Sequence, residues 1–203
     1  GATGTTITDS KIYSPYRVGI LVDTGATVTG TTISGLESRG VENWAHIDFG
    51  DDSVVNGFSV SSSTLGAPDE ITPTRGLWSG TNVSVTDLSI TGSTFQSPNK
   101  EAIFVEGGDS TFTGTVISGN TFGGNADKLI SRVIADNGAT WNNLQFTDNT
   151  ISYAGGTFLN GTVTGAQFTG NTFFDLSDGG SPALHLGNAL TDVTVSDNQF
   201  NRN

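Results

Sequence analysis

Short alternations of apolar and polar residues recur along the whole chain, and each ends in residues rich in Gly, Asn, Asp or Ser. In residues 110–124, STFTGTVISGNTFGG, the apolar positions include Phe112, Ile117 and Phe122. Alternation over a few residues followed by turn formers predicts short β-strands, and little of the sequence has a helical period. The chain is therefore expected to be all-β.

The same phrase occurs eight times, at intervals of 22 to 30 residues. With Ile117 as the reference, the equivalent positions are Ile7, Ile33, Val60, Ile90, Ile117, Phe146, Phe168 and Val195. A period of about 20–50 residues is typical of solenoids, propellers and repeat arrays.

Each period also carries a second apolar segment after the first. These segments are residues 19–22, 47–49, 76–78, 103–105, 130–134, 157–159 and 184–186. Two or three short strands in one period fit one coil of a parallel β-helix, whereas a propeller blade needs four strands in about 40–45 residues.

Stacking of coils ~4.8 Å apart pairs their backbones and places equivalent residues on one another. We expect one internal column of large apolar residues, formed by Phe95, Phe122, Phe173 and Phe200, with Ile12 and Ile151 in other coils. Asparagine tolerates turn conformations and can bond to a copy of itself in the next coil. A second column is therefore expected at the bend, formed by Asn120, Asn149, Asn171 and Asn198, with Ser10 and Ser93 in earlier coils.

The phrases VISGNTF, QFTGNTF and VSDNQF resemble the coil repeats of the pectin-lyase-like superfamily. The resemblance covers nearly the whole chain and implies a right-handed single-stranded parallel β-helix of about seven to eight coils, in one domain over residues 1–203. Members include pectin and alginate lyases, polygalacturonases, mannuronan epimerases, phage tailspikes and adhesins. The resemblance implies an extracellular or virion-surface module that engages polysaccharide, as a binding protein or as a glycan hydrolase or lyase.

Composition limits the partners of the chain. Twenty Asp and Glu against eight Lys and Arg give a net charge of −12, which repels nucleic acid phosphates, so no nucleic-acid partner is expected. No apolar run approaches the ~20 residues of a membrane helix, so no membrane insertion is expected. Absence of Cys excludes disulfides, and absence of Met indicates a processed product or part of a longer protein.

The densest polar cluster lies in residues 37–52, and its candidate catalytic residues are His46, Asp48, Asp51 and Asp52. Paired carboxylates can act as acid and base in glycoside hydrolysis, and they can also bind Ca²⁺. The GDD sequence that contains Asp51 and Asp52 resembles a polygalacturonase motif, but the Gly-His-Gly and Arg-Ile-Lys motifs of that family are absent. A solvated turn, a calcium site and a catalytic pair therefore stay open as interpretations of these two residues, and no other cofactor is expected.

Basic and aromatic residues beside this cluster are the candidates for contact with substrate. The resemblance to lyases and epimerases implies a basic residue that neutralises a uronate, and Arg75 is the catalytic candidate while Arg39 is a binding candidate. Trp44 and Trp78 lie near the second segment of successive coils, where flat rings can pack on sugars. Packing in the core or at an edge is the alternative for both Trp residues, and a pair with a nearby carboxylate is the alternative for the basic residues.

Two further patterns bear on surface and assembly. Acidic residues follow the second segment in several coils, at Asp23, Asp51, Glu106 and Asp136, which indicates a hydrated turn because stacked like charges repel. Unpaired strand edges in the first and last coils would template another chain. The alternative function is therefore a structural or adhesive solenoid that self-assembles end to end, as a homo-oligomer or filament.

Overall fold

The computed structural model describes residues 1–13, 16–41, 44–67, 74–96, 100–123, 130–174, 176, 182–187 and 189–201. Within these residues the regular structure consists of β-strands. Strands of successive coils pair in parallel and form four sheets, here named A to D in the order in which the chain enters them. The predicted all-β parallel solenoid is confirmed. No helix in the described ranges is long and apolar enough to cross a membrane.

Sheets A, B and C each contain eight short strands. Sheet A consists of Ala2–Thr3, Thr27–Thr29, Val54–Asn56, Ser84–Thr86, Thr111–Thr113, Thr140–Asn142, Thr162–Thr164 and Ala189–Thr191. Sheet B consists of Thr6–Thr8, Thr32–Ser34, Ser59–Ser61, Ser89–Thr91, Val116–Ser118, Gln145–Thr147, Gln167–Thr169 and Thr194–Ser196. Sheet C consists of Lys11–Tyr13, Glu37–Arg39, Thr64–Gly66, Thr94–Gln96, Thr121–Gly123, Thr150–Ser152, Thr172–Phe174 and Gln199–Asn201.

Sheet D is built from the second apolar segment of each period. Its seven strands are Val18–Val22, Ala45–Phe49, Arg75–Thr81, Glu101–Gly107, Arg132–Asp136, Thr157–Leu159 and Leu184–Leu186. Several of these strands are longer than the three-residue strands of the other sheets, and the connections that lead into them from sheet C differ in length from coil to coil. Sheet D is therefore the least regular side of the solenoid.

About six turns have a neighbouring turn on both sides, because the first and the last of the eight strands in sheets A to C pair with a strand on one side only. This is slightly fewer than the seven to eight coils expected. In the last described turn, the inward-facing side chains are more exposed than those of the middle turns. Val195 is 49% exposed and Phe200 is 55% exposed, whereas Ile117 and Phe122 are fully buried.

Two-residue turns connect sheet A to B and sheet B to C, and their first residue lies in the left-handed region. Examples are Gly30 at φ 65°, Asp87 at φ 54° and Asn143 at φ 57°. Glycine, asparagine and aspartate reach this region at the lowest steric cost. Because the turns have constant length, they keep the eight copies of the phrase in one register.

The predicted apolar column is confirmed. Phe122 pairs in register with Phe95 on one side and Ile151 on the other, and the rings of Phe95 and Phe122 stack with centroids 5.0 Å apart. Ile117 likewise pairs with Ile90 and Phe146. Inward residues of sheets A and B therefore form continuous apolar columns, and the column of sheet C is apolar except at Ser38.

The predicted asparagine column is also confirmed as a hydrogen-bonded ladder. The backbone N–H and Nδ2 of Asn120 donate to Oδ1 of Asn149 at 3.0 and 3.1 Å. Asn149 donates in the same way to Asn171 at 3.0 Å, and Asn171 donates to Asn198 at 2.9 Å. Ser93 precedes them, and its backbone N–H donates to Oδ1 of Asn120. The ladder satisfies polar groups at the bend that would otherwise be buried without partners.

Candidate functional site

One outward-facing register position of sheet D carries a row of mostly large side chains. The row, here called the outer column, consists of Leu21, Asp48, Trp78, Phe104, Ala135, Phe158 and His185. Side chains next to Asp48 along its strand, Ile47 and Phe49, are fully buried in the core. Alternation along the strand thus directs the outer column away from the core.

Arginine side chains lie over aromatic rings along this column. The guanidinium carbon of Arg17 lies 4.9 Å from the centre of the Trp44 ring. The corresponding distance is 4.5 Å from Arg75 to Phe104, and 4.4 Å from Arg132 to Phe158. These distances are within the ~6 Å range of cation–π attraction. Each arginine therefore covers a ring contributed by the following coil.

Two ring pairs extend the aromatic surface along the solenoid. Trp44 and Trp78 meet edge to face with centroids 5.1 Å apart, so the predicted neighbourhood of these two residues is observed. Phe158 and His185 stack with centroids 5.3 Å apart. We call the whole set the aromatic–arginine stripe; it consists of Arg17, Trp44, Arg75, Trp78, Phe104, Arg132, Phe158 and His185.

Asp48 is the acidic member of the outer column and is only 5% exposed. Its Oδ2 accepts a hydrogen bond from Nε1 of Trp44 at 2.8 Å, whereas Oδ1 is buried and has no hydrogen-bond partner among the described residues. Burial raises the pKa of Asp48 to about 6 from its ordinary 3.8; the Trp44 bond and the charge of Arg17 oppose the rise, and the charge of Asp51 adds to it. This carboxyl group thus titrates much closer to neutrality than an exposed aspartate.

His46 lies on the same strand but is fully buried. Its Nδ1 lies 2.8 Å from Oγ of Ser38, a buried residue of the sheet C strand that precedes it. The residues in register with His46 are Gly19 and Gly76, and a Cβ at Gly76 would overlap the Phe95 ring inside the solenoid. Glycine on both sides leaves room for an imidazole inside the solenoid, so the structure does not place His46 on the stripe.

Asp51 and Asp52 form the corner between sheets D and A. Oδ1 of Asp51 accepts hydrogen bonds from the backbone N–H of Thr81 at 2.8 Å and from its hydroxyl at 3.1 Å. Asp52 adopts φ 58°, and its Oδ1 accepts from Nδ2 of Asn82 at 3.2 Å. These contacts join two coils at the turn. Catalysis by the pair stays a prediction.

The two predicted arginines lie on different faces. Nε of Arg75 is 3.0 Å from Oε2 of Glu101, and this pair lies on the stripe. Arg39 is on sheet C, where its Nη2 is 2.7 Å from Glu37, which also contacts Lys11 at 3.3 Å. Hydrogen bonds from Tyr13 and Lys11 hold the pKa of Glu37 below its ordinary value. The structure therefore does not bring Arg39 together with the residues of sheet D.

Asp136 corrects the expectation of a hydrated turn, because it is fully buried. One oxygen accepts from the backbone N–H groups of Gly138 and Ala139 at 2.7 and 3.3 Å. The other accepts from Nε1 of Trp141 at 3.0 Å and from the backbone N–H of Asn160 at 3.1 Å. Burial raises the pKa of Asp136, and these donors oppose the rise. Asp136 is an internal cross-link between two coils.

Sequence reasoning missed several residues of the stripe, namely Arg17, Phe104, Arg132 and Phe158. The sequence separation of each arginine from its aromatic partner could have identified them. Arg17 and Trp44, Arg75 and Phe104, and Arg132 and Phe158 are separated by 27, 29 and 26 residues, which is one coil in each case. As for metal binding, no group of three or more His, Cys, Asp or Glu side chains in the described ranges is arranged to hold an ion.

No protein-family model matches the chain, and no curated protein matches it. Among solved structures, an endo-xylogalacturonan hydrolase from Aspergillus tubingensis is 11% identical, with a TM-score of 0.44, and the match covers 100% of this chain and 73% of that one. The A-module of mannuronan C-5 epimerase AlgE4 from Azotobacter vinelandii is 13% identical, with a TM-score of 0.32 and coverage of 86% and 62%. QnrB1, a plasmid-mediated fluoroquinolone resistance protein, is 14% identical, with a TM-score of 0.28 and coverage of 96% and 90%.

These three proteins have different activities, and every TM-score is below 0.5. The similarities therefore carry no argument about what this chain does. Among the chain's own side chains, the aromatic–arginine stripe is the candidate functional surface.

Proposed function

We propose that the chain is a polysaccharide-binding β-helix that holds its ligand along the aromatic–arginine stripe of sheet D. The observation that carries the proposal is the row of rings from Trp44 to His185, three of them covered by arginine. Flat aromatic faces pack on the apolar faces of sugar rings, and guanidinium groups donate several hydrogen bonds to hydroxyl or carboxylate oxygens. An extracellular or virion-surface location is part of the proposal.

The direction of the stripe supports a polymer as the ligand. Coils follow the solenoid axis at steps of ~4.8 Å, close to the length of one sugar residue, and every coil from Trp44 to His185 except that of Ala135 contributes a ring. A glycan chain lying parallel to the axis would meet a new coil with each sugar or so. Three of the eight Lys and Arg residues of the chain lie on this face, together with the carboxylates of Glu101 and Asp48.

Binding is better supported than catalysis. Of the predicted catalytic residues, His46 is buried inside the solenoid, and Asp51 accepts two hydrogen bonds within the corner turn. Arg75 is paired with Glu101. A hydrolase or lyase activity therefore stays the finer proposal, to be tested by release of reducing ends or of unsaturated uronate products. Activity that survives both Asp51→Ala and Asp52→Ala would remove these two residues from the mechanism.

The binding proposal predicts that ring removal along the stripe weakens glycan binding. A panel of neutral and anionic polysaccharides should contain at least one ligand for the wild-type chain in affinity electrophoresis and calorimetry. Phe104→Ala and Phe158→Ala each remove a partly buried stacking surface, so we expect the affinity to fall by about tenfold or more. Circular dichroism and thermal melts check that both variants keep the fold.

Tyr13→Ala is the matched control, since Tyr13 is an exposed aromatic residue on sheet C, away from the stripe. Its affinity should equal that of the wild type. Absence of binding to the whole panel, or equal loss in Tyr13→Ala and Phe104→Ala, would contradict the proposal.

A second candidate function is self-assembly. It is favoured by the last described turn, where Leu190, Val195 and Phe200 are each about half exposed above the apolar columns. Unpaired strand edges with apolar side chains can accept another chain. Sedimentation over a hundredfold range of concentration tests this: growth into oligomers or filaments supports assembly, and a monomer throughout contradicts it.

A further inference from the structure

The carboxylate of Asp48 has a hydrogen-bonding capacity that the protein itself does not fill. Oδ2 accepts from Trp44, but Oδ1 is buried and has no partner. A buried carboxylate oxygen without a donor is costly, and native proteins rarely keep one without a use for it. Asp136, which is equally buried, accepts four hydrogen bonds. The contrast sets Asp48 apart from a structural carboxylate.

The side chains around Asp48, at one end of the stripe, are mostly aromatic or aliphatic. Its neighbours in register are Leu21, which is 54% exposed, and Trp78. The Trp44 ring lies edge to face against Trp78 and carries the Arg17 guanidinium on its face. Trp44 is partly buried, whereas Trp78 is only 8% exposed, so a sugar reaches Trp78 and Oδ1 of Asp48 only if the Trp44 indole moves.

We propose that Asp48 selects the sugar at this end of the stripe, with Oδ1 accepting a hydrogen bond from a hydroxyl of a neutral sugar that packs on Trp78. This inference rests on the proposed glycan-binding function. The Trp44 indole swings aside as the sugar enters, and a second hydroxyl takes the place of its N–H at Oδ2. The indole N–H therefore stands in for a ligand hydroxyl while the site is empty.

The charge of Asp48 explains why the sugar is neutral. A hydroxyl donates to an ionised carboxylate, which gives a strong charge-assisted hydrogen bond. A uronate would instead bring a second carboxylate against Asp48 in a site with little water, where like charges repel strongly. The charged groups that act on Asp48 are Arg17, which favours its ionised form, and Asp51, which disfavours it. His46 faces the interior.

Two hexasaccharides that differ only at carbon 6 test the selection: cellohexaose and the hexamer of β-1,4-linked glucuronate. The wild-type chain should bind cellohexaose more tightly in calorimetry at about pH 7.5. Asp48→Asn keeps the shape and an acceptor for Trp44 but presents an N–H donor at the free position, so cellohexaose binding should weaken about tenfold. Because the pKa of Asp48 is about 6, wild-type affinity should also fall towards pH 5, and Asp48→Asn should lack this dependence.

Asp87→Asn is the matched control, because it removes the same charge at a different place, the turn between sheets A and B. Asparagine tolerates the φ of 54° at this position. It should bind like the wild type. Asp48→Ala, which removes the acceptor without adding a donor, guards against a folding defect peculiar to the amide.

The possible results separate this inference from the proposed function. Equal affinity for cellohexaose in the wild type, Asp48→Asn and Asp48→Ala overturns the role of Asp48, and the proposed function stands if Phe104→Ala still weakens binding. Tighter wild-type binding of the glucuronate hexamer, or binding of neither hexamer, also overturns it. The proposed function falls with it only if the whole polysaccharide panel fails to bind.

Discussion

At the scale of single residues, two buried carboxylates have opposite surroundings. Asp136 lies in the core with four donors at 2.7 to 3.3 Å, so its charge is compensated by the fold. Asp48 lies on the outer column with one donor and one free oxygen. Burial raises the pKa of both groups. The number of donors, more than the shift in pKa, separates a cross-link from a candidate ligand site.

Asp48 predicts a pH dependence of stability with a definite sign. Its pKa is about 6 in the folded chain against an ordinary 3.8, so the folded state holds the proton more tightly than the unfolded state. Its contribution to stability is therefore greatest below about pH 4 and falls as the pH rises to about 6. In the wild type, ionisation of Asp48 should lower the free energy of unfolding by about 3 kcal/mol at most across this pH window, and Asp48→Asn should lack this decrease.

Urea denaturation at about pH 4 and pH 7.5 measures the effect as the difference between variant and wild type. Carboxylates that do not interact with Asp48 contribute equally to both chains and cancel in that difference. Asp87→Asn, measured at the same two pH values, gives the effect of removing a carboxylate outside the outer column. A variant–wild-type difference that is independent of pH would show that Asp48 is not buried as described.

At the scale of structural elements, the asparagine ladder explains how the tightest turns are kept in register. Asn149 accepts two hydrogen bonds from Asn120 and donates to the carbonyl of Ile117 at 2.9 Å and to Asn171 at 3.0 Å. All these groups are buried, so water cannot replace a lost partner. The ladder therefore contributes more than its individual hydrogen bonds would at a surface.

Asn149→Ala should lower the free energy of unfolding by about 3 kcal/mol or more, because it leaves buried donors on Asn120 and a buried carbonyl without partners. Asn149→Ser should cost less, since Ser93 occupies the same position in an earlier coil and accepts from the backbone of Ser63. Chemical denaturation measures both. Asn142→Ala is the control, on the outer side of sheet A. Equal costs for Ala and Ser would contradict a specific role for the ladder.

The strands that repeat with a constant spacing could be predicted from the sequence, including their register. Turns of constant length fix the register of sheets A to C, so Phe122 and Asn120 were placed on the correct columns from spacing alone. Sheet D was predicted as an element, but the orientation of its side chains was not. His46 is buried because glycines flank it in register, and Arg39 falls on sheet C because its strand ends before the irregular connection. His46 follows a connection that does not repeat, where spacing carries no register. Arg39 lies within the repeating register of sheet C, in line with Tyr13 of the preceding coil.

At the scale of the whole molecule, the solenoid is a stack in which each turn contacts only its neighbours. Stability in such a stack is close to a sum of turn and interface contributions. A central turn has a neighbouring turn on both sides and an end turn on one side only. The same side chain therefore contributes more to the free energy of unfolding in a central turn than in an end turn. The column of sheet C offers a direct comparison, because Phe95 and Phe200 occupy equivalent positions in a central and in the last described turn.

Phe95→Ala should destabilise the chain of residues 1–203 by about 3–5 kcal/mol, as for other fully buried Phe residues. Phe200→Ala should cost roughly 1 kcal/mol or less, because its ring is 55% exposed and stacks on Phe173 alone, at 5.0 Å. Urea denaturation at low protein concentration gives both values. Similar losses of unfolding free energy in the two variants at low concentration would contradict the exposure of Phe200 in the last described turn. A cost of Phe200→Ala that grows with protein concentration would instead show that a second copy covers the last turn, which is the mark of the self-assembling solenoid.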